Sequence, residues 1–129
     1  RRQLRHFFGD NQTIEKEAIS DLDKGFVSRF KSLVEERMKD AELNVEDLGR
    51  NMGMSRVQLY RKLKSLTNYS PNELLRQMRL KKAASLLASS DMTVAEIAYE
   101  VGFSSPSYFT KCYKEQFGES PTEFLKRRG

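Results

Sequence analysis

The sequence has few of the residues on which catalysis, a disulfide or a metal site would depend. Its 129 residues contain one cysteine, Cys112, one histidine, His6, and no tryptophan. A single cysteine excludes an internal disulfide, and no phosphate loop, zinc-ligand spacing or Ser/His pair accompanies the histidine. Cys112 lies beside the inward face of its helix, which favours a small, partly buried residue over a nucleophile. We therefore predict no enzymatic activity, cofactor or metal for this chain.

Long hydrophobic runs are also missing. Apolar residues make up 38% of the chain, but no stretch approaches the roughly eighteen consecutive apolar residues of a membrane span. With 32% charged residues, the composition is that of a globular domain and not of a disordered segment. The single cysteine fits a reducing compartment, so the cytoplasm is the expected localisation of this domain.

Positive charge is concentrated in one part of the chain. Residues 1–42 carry nine basic and nine acidic side chains, and residues 43–129 carry fourteen and nine. Within the second part, residues 50–82 hold nine Lys or Arg and one acid, Glu73, whereas residues 83–110 hold no Lys or Arg. Such a local excess indicates either a solvated helix face or a surface for a polyanion, and charge alone leaves both open.

Apolar spacing and helix-start signals predict an all-α chain of about seven helices. From about Asp23, apolar residues recur at i, i+4, i+7 and i+8, at Phe26, Phe30, Leu33 and Val34. Later starts carry Ser, Thr or Asn with an acid or amide three residues on, the capping-box pattern, at Asn44, Ser55, Ser70, Thr93 and Ser120. Residues 1–22 have no sustained period and start with Arg, so we interpret them as a linker from an upstream domain.

One sequence motif, called the repeated phrase below, occurs twice in the chain. GMSRVQLYRKLK, residues 53–64, is followed forty-nine residues later by GFSSPSYFTKCYK, residues 102–114. In each copy an apolar helix ends before a glycine, a second helix follows, and a Ser-Pro pair starts a third. Two copies are too few for a stacked solenoid. The repeat therefore predicts two helix-turn-helix units, at about 44–66 and 93–117.

The second helix of each unit has a polar or basic outer face. A step of about 100° per residue places Leu63 and Leu66 within about 40° of Leu59, on the core side. The opposite half of that helix carries Val57, Tyr60, Arg61 and Lys64. In the second copy, Tyr113 and Gln116 are expected to point inward with Phe109, and the outward residues are Ser107, Thr110, Lys111 and Lys114. Because two matched helices carry such faces, the pattern favours reading of a DNA major groove over a merely solvated surface.

Over about residues 26–129 the sequence resembles the AraC/XylS family of bacterial transcription regulators. The resemblance is carried by GMSRVQLYRKLKSLTNYSP, by RQMRLKKAASLL and by MTVAEIAYEVGFSSPSYFTKCYKEQFGESPTEF. The wording of the first unit further resembles the C-terminal output domains of hybrid two-component regulators. The resemblance implies a DNA-binding domain at 23–129, in which one long helix, about 71–88, joins two helix-turn-helix subdomains that enter successive major grooves.

The resemblance also implies roles for individual residues. Base-facing positions carried over from the family are Val57, Tyr60, Arg61, Ser107, Thr110 and Lys111. Positions expected to contact phosphate or to position the domain are Arg56, Lys62, Lys64 and Lys114. Val57 cannot select a base by hydrogen bonding, since it offers only an apolar contact, for instance to a thymine methyl. Ser105 replaces the acid or amide that family members often have at the second cap, and it should still cap.

Double-stranded promoter DNA is the expected partner. Two further partners are compatible with this function: a second copy of the protein, bound through upstream domains, and RNA polymerase. The full-length protein is compatible with a histidine kinase, a receiver and a membrane anchor. The alternative function is a general polyanion-binding or protein-interaction helical module, including one for RNA or anionic lipid. A mobility shift with promoter and unrelated duplexes at two salt concentrations separates these functions.

Overall fold

The computed structural model describes residues 20–128, which form seven α-helices and no strand. The helices are α1 (Asp21–Arg37), α2 (Val45–Asn51), α3 (Arg56–Thr67), α4 (Pro71–Ser89), α5 (Val94–Glu100), α6 (Pro106–Phe117) and α7 (Pro121–Arg128). The prediction of an all-α chain of about seven helices is confirmed. Residues 1–19, with His6, lie outside the described residues, so the assignment of 1–22 to a linker stays a prediction, although α1 already includes residues 21 and 22.

The chain divides into two compact units. Among the described residues, the first unit comprises 20–37 and 43–75, and the second comprises 38–42 and 76–128. The first unit therefore holds α1, α2, α3 and the beginning of α4, and the second holds the rest of α4 with α5, α6 and α7. Each unit contains one copy of the repeated phrase, and the connector 38–42 between α1 and α2 belongs to the second unit by its contacts.

Side-chain caps determine where most of these helices begin. Ser55 Oγ accepts from the Gln58 N–H at 3.1 Å, and the Gln58 side chain accepts in return from the Ser55 N–H at 2.8 Å. The same reciprocal pair occurs at the starts of α4, α5 and α7. Ser105 also caps, accepting from the Tyr108 N–H at 3.2 Å. A cap of this kind contributes about 0.5–2 kcal/mol.

At α2 the predicted reciprocal box is only half formed. The Asn44 side chain accepts from the Asp47 N–H at 2.9 Å. The Asp47 carboxylate accepts from Arg50, one turn later, and not from the Asn44 N–H. A nearby guanidinium is the stronger donor for a carboxylate, which explains why the return bond of the box is replaced.

The first unit has an aliphatic core around one phenylalanine. Its most deeply buried side chains are Phe30 and Val34 from α1, Leu48 from α2, Leu59, Leu63 and Leu66 from α3, and Leu74 from α4. The predicted inward face of α3 is thus confirmed, while Phe26 and Leu33 on α1 are only half-buried. Fully burying a side chain of this size is worth about 1.5–3 kcal/mol.

The second unit has a more aromatic core. Phe109 packs edge-on against Phe103, with ring centroids 5.3 Å apart, and lies 5.8 Å from Tyr113. Cys112 is buried beside them. The expectation that Gln116 points inward is wrong, because Gln116 is exposed. It lies in the last turn of α6, and an amide buried without partners would cost more than it gains.

Both units turn on a glycine with positive φ. Gly53 has φ 69° and Gly102 has φ 100°, a region that costs other L-residues about 1–2 kcal/mol. At the first turn, the Gly53 N–H donates to the Arg50 carbonyl at 3.1 Å and the Met54 N–H donates to the Gly49 carbonyl at 2.9 Å. The turn at Gly102 repeats both bonds at 3.1 and 2.9 Å. The two turns are therefore built in the same way.

Gly102 is constrained by close packing as well. A Cβ at this position would overlap the Met38 carbonyl oxygen and would lie 2.7 Å from Arg79 Nε. Arg79 in turn donates to the Asp40 carbonyl at 2.9 Å. The connector 38–42 therefore approaches the turn so closely that no side chain fits between them.

We expect Gly102→Ala to destabilise the protein much more than Gly118→Ala. Both glycines have positive φ, 100° and 82°, so both variants incur the backbone cost of about 1–2 kcal/mol. Only Gly102 lacks room for a Cβ, whereas no atom lies within 4 Å at Gly118. Overpacking should add about 1–3 kcal/mol. Denaturant unfolding followed by circular dichroism measures both losses, and equal losses would contradict the packing argument.

Candidate nucleic-acid interface

The exposed face of α3 brings together the three residues that the sequence assigned to base reading in the first unit. Val57 is 58% exposed and Tyr60 is 47% exposed, and Arg61 is exposed beside them. They face solvent because the other side of the helix is occupied by its buried leucines. The first unit thus presents an apolar, an aromatic and a cationic side chain on one helix face.

The basic residues of α3 differ in their surroundings. Arg56 and Arg61 are exposed, and neither pairs with a carboxylate anywhere in residues 20–128. Lys62 Nζ lies 3.7 Å from an Asp23 carboxylate oxygen and 5.1 Å from the centre of the Phe26 ring. Lys62 is thus directed toward α1, where the Asp23 carboxylate partly neutralises its charge. A phosphate contact from Lys62 stays a prediction.

The matching helix of the second unit also presents polar and basic residues. Ser107, Lys111 and Lys114 are exposed, while Thr110 is half-buried. Lys111 and Lys114 are the only basic residues of α6. Compared with α3, this face has short hydroxyl side chains in place of the valine and the tyrosine.

Tyr108 is a surface residue of α6 that the sequence reasoning did not single out. It is 51% exposed, and its ring centre lies 5.9 Å from that of Phe103. The neighbouring Cys112 side chain raises the pKa of the Tyr108 phenol, and nearby Arg76 opposes the rise. The helical period could have identified it, since Tyr108 lies about 100° from the buried Phe109.

Two of the cations near the C-terminus are engaged within the second unit. Arg127 donates to both carboxylate oxygens of Glu119, at 3.2 and 2.6 Å, and this bond lowers the pKa of Glu119. Arg128 donates to the Ala88 carbonyl at 2.8 Å, in the last turn of α4. These bonds leave the two arginines less available to an outside anion than exposed lysines such as Lys126.

Comparison with known proteins identifies the kind of domain. Residues 48–127, more than half of the chain, match the family model of a helix-turn-helix domain. The chain belongs to the AraC-type helix-turn-helix family. Its described helices accordingly form a DNA-binding domain of a transcription regulator, and not a catalytic domain.

Individual relatives agree with this family. The chain is 37% identical over 109 residues to Histidine kinase P4 of Formosa agariphila, covering 84% of this chain and 8% of that protein. The C-terminal domain of AraT, a response regulator from Geobacillus stearothermophilus, superposes with a TM-score of 0.75 at 28% identity, covering 85% of this chain and 88% of that one. The DNA-binding domain of AdpA in complex with a target DNA superposes with a TM-score of 0.73 at 30% identity, covering 78% of this chain and 89% of that one.

The chain is shorter than the curated relatives that it matches. It spans 8% of the histidine kinase and between 29% and 37% of several transcriptional regulators. Among residues 20–128, no helix has both the length and the apolar character needed to cross a bilayer.

We expect the Glu119–Arg127 pair to stabilise the second unit at neutral pH and to lose this effect in acid. The pKa of Glu119 is lower in the folded protein, so its contribution is present above the unfolded pKa of about 4.3 and disappears as pH falls through the folded pKa. Melting temperatures of Glu119→Gln, Arg127→Gln and the double variant, at pH 7 and below about pH 3, measure the coupling. A coupling that persists in acid would mean that the pair is not ionic.

Proposed function

We propose that this chain binds a specific double-stranded DNA site by inserting α3 and α6 into successive major grooves. The observation that carries the proposal is the exposed face of α3, where Val57, Tyr60 and Arg61 lie together opposite a fully buried face. An α-helix fits the major groove, and base edges are distinguished there by donors, acceptors and methyl groups. In such an arrangement α2 would cross the phosphate backbone.

Each residue of the α3 face suits a different part of a base pair. The Arg61 guanidinium can donate two hydrogen bonds to O6 and N7 of one guanine. Val57 can contact a thymine methyl but cannot select a base by hydrogen bonding. Tyr60 can contribute its ring to the groove wall and its hydroxyl to a base edge or phosphate. Arg61 is therefore the main determinant of base preference in the first unit.

The second unit supplies a weaker set of contacts in this proposal. Ser107, Thr110 and Lys111 would face bases, and Lys114 would contact phosphate. In the first unit, Arg56, Lys62 and Lys64 would contact phosphate. Ser and Thr permit close approach but discriminate poorly between bases, since each can donate or accept.

The chain would act as the output domain of a two-component regulator. This part of the proposal is supported by the likeness to Histidine kinase P4 and to the C-terminal domain of the response regulator AraT. In that setting a kinase and a receiver would precede the domain, bring two copies together and keep the domain in the cytoplasm beside a membrane-anchored sensor. The bound domain would then present a surface to RNA polymerase.

The decisive experiment is selection of duplexes from a randomised library, followed by titration of the enriched site against an unrelated duplex at two salt concentrations. Sequence-specific binding should exceed non-specific binding by at least about a thousandfold. Equal affinity for both duplexes, falling equally with salt, would favour the alternative of a general polyanion-binding module.

We expect Arg61→Ala to weaken specific binding by about 1–3 kcal/mol and to relax the preference at one base pair. Arg29→Ala is the matched control, because Arg29 is exposed on α1 and its loss changes the net charge equally. Titration of both variants on the selected site and on each single-base variant of it measures the effect. If Arg61→Ala weakened binding to specific and random DNA equally, Arg61 would contact only phosphate.

We expect the first unit to contribute most of the salt dependence of binding. Each engaged phosphate adds about 0.9 to the slope of log affinity against log salt. Replacing Arg56, Lys62 and Lys64 by Gln should therefore flatten the slope more than replacing Lys111, Lys114 and Lys126. Both triple variants lose three charges, so each controls for the other. A larger effect from the second triple would show that α6 and α7 hold the DNA more strongly.

A further inference from the structure

A concave pocket lies beside the recognition face of the first unit. Its volume is about 430 Å³, and it is lined by Val45, Arg56, Val57, Tyr60, Arg61, Ser70, Pro71 and Asn72. Four of the lining residues belong to the exposed face of α3, and the others lie at the starts of α2 and α4. All of these residues belong to the first unit.

The polar part of this pocket's lining suits an anion, and Val45, Val57 and Pro71 form an apolar part. Two arginines line it and no acidic residue does. The nearest acid in sequence, Glu73, accepts a hydrogen bond from the Ser70 N–H at 2.8 Å, so its side chain is used in the cap of α4. Asn72, at the start of α4, adds an exposed amide to the lining, and an amide can donate two hydrogen bonds.

The position of the pocket indicates which anion it meets. A helix with its side chains is about 10–12 Å wide, and the major groove is about 12 Å wide. A helix in the groove therefore has a sugar-phosphate strand along each flank. Since the start of α4 lines this pocket together with α3, we infer that a phosphate of the strand on that side comes to lie against Arg56 and Asn72.

We propose that Asn72 is a DNA-positioning residue, which donates from its side-chain amide to one backbone phosphate held in this pocket together with Arg56. The proposal rests on the proposed insertion of α3 into the major groove. A phosphate held on the flank of α3 fixes how far the helix enters the groove and how it is rotated about its axis. Asn72 thus affects base reading by Arg61 without touching a base.

The test is a cycle between protein and DNA variants. The selected duplex is prepared with a single neutral methylphosphonate at each backbone position in turn, and wild-type protein is compared with Asn72→Ala. At one backbone position beside the α3 site, the methylphosphonate should weaken binding of the wild-type protein about threefold to tenfold. The same methylphosphonate should weaken binding of Asn72→Ala much less. Gln116→Ala is the matched control, because it removes an exposed amide from α6 and should keep the full wild-type penalty.

The outcomes separate this proposal from the proposed function. Specific binding of wild-type protein to the unmodified duplex, and its loss in Arg61→Ala, test the proposed function alone. If the loss of affinity caused by Asn72→Ala simply added to the loss caused by the methylphosphonate at every position, the role of Asn72 would be overturned. A loss confined to one base pair would show instead that Asn72 reads a base. Asn72 is exposed, so its variant should melt at the wild-type temperature, and a lowered melting temperature that accounts for the weaker binding would also overturn the proposal.

Discussion

Each helix-turn-helix unit turns at one backbone position with positive φ, where glycine carries the least strain. Gly53 and Gly102 reverse the chain at positive φ, and the same two backbone hydrogen bonds close both turns. In the second unit the constraint is stronger, because the Met38 carbonyl and the Arg79 guanidinium occupy the space that a Cβ would need. Arg79 also holds the Asp40 carbonyl, so the turn and the connector 38–42 are packed as one arrangement.

The two units differ by one residue after the turn, and the structure shows where it is placed. The turn bonds at Met54 and Phe103 keep the forty-nine-residue offset of the repeat, whereas the caps at Ser55 and Ser105 are fifty residues apart. The additional residue is Ser104, which is exposed. The second unit therefore accommodates an insertion in solvent, while its turn and the capped start of its second helix are kept.

Burial on one side of α3 determines what the other side can do. Leu59, Leu63 and Leu66 are buried, and each contributes about 1.5–3 kcal/mol. A rotation of α3 by one residue, about 100°, would expose leucine and is therefore strongly opposed. The orientation of Val57 and Arg61 toward solvent is thus set by the core, before any DNA is present. Such preorganisation lowers the entropic cost of binding.

The sequence by itself determined the number of helices, their starts and the outward face of α3, because helical periodicity and capping act over three or four residues. It also identified the repeat, since a glycine followed by a capped helix is visible in the chain. Helical periodicity wrongly placed Gln116 in the core. Periodicity gives the direction of a side chain, but it does not show that the last turn of α6 is exposed to solvent. Only the tertiary structure decided that Lys62 meets Asp23, that Arg127 is held by Glu119 and that Arg56 and Asn72 line one pocket. These relations join residues on separate helices or across a turn, and their distances depend on how the segments pack, which no local pattern encodes.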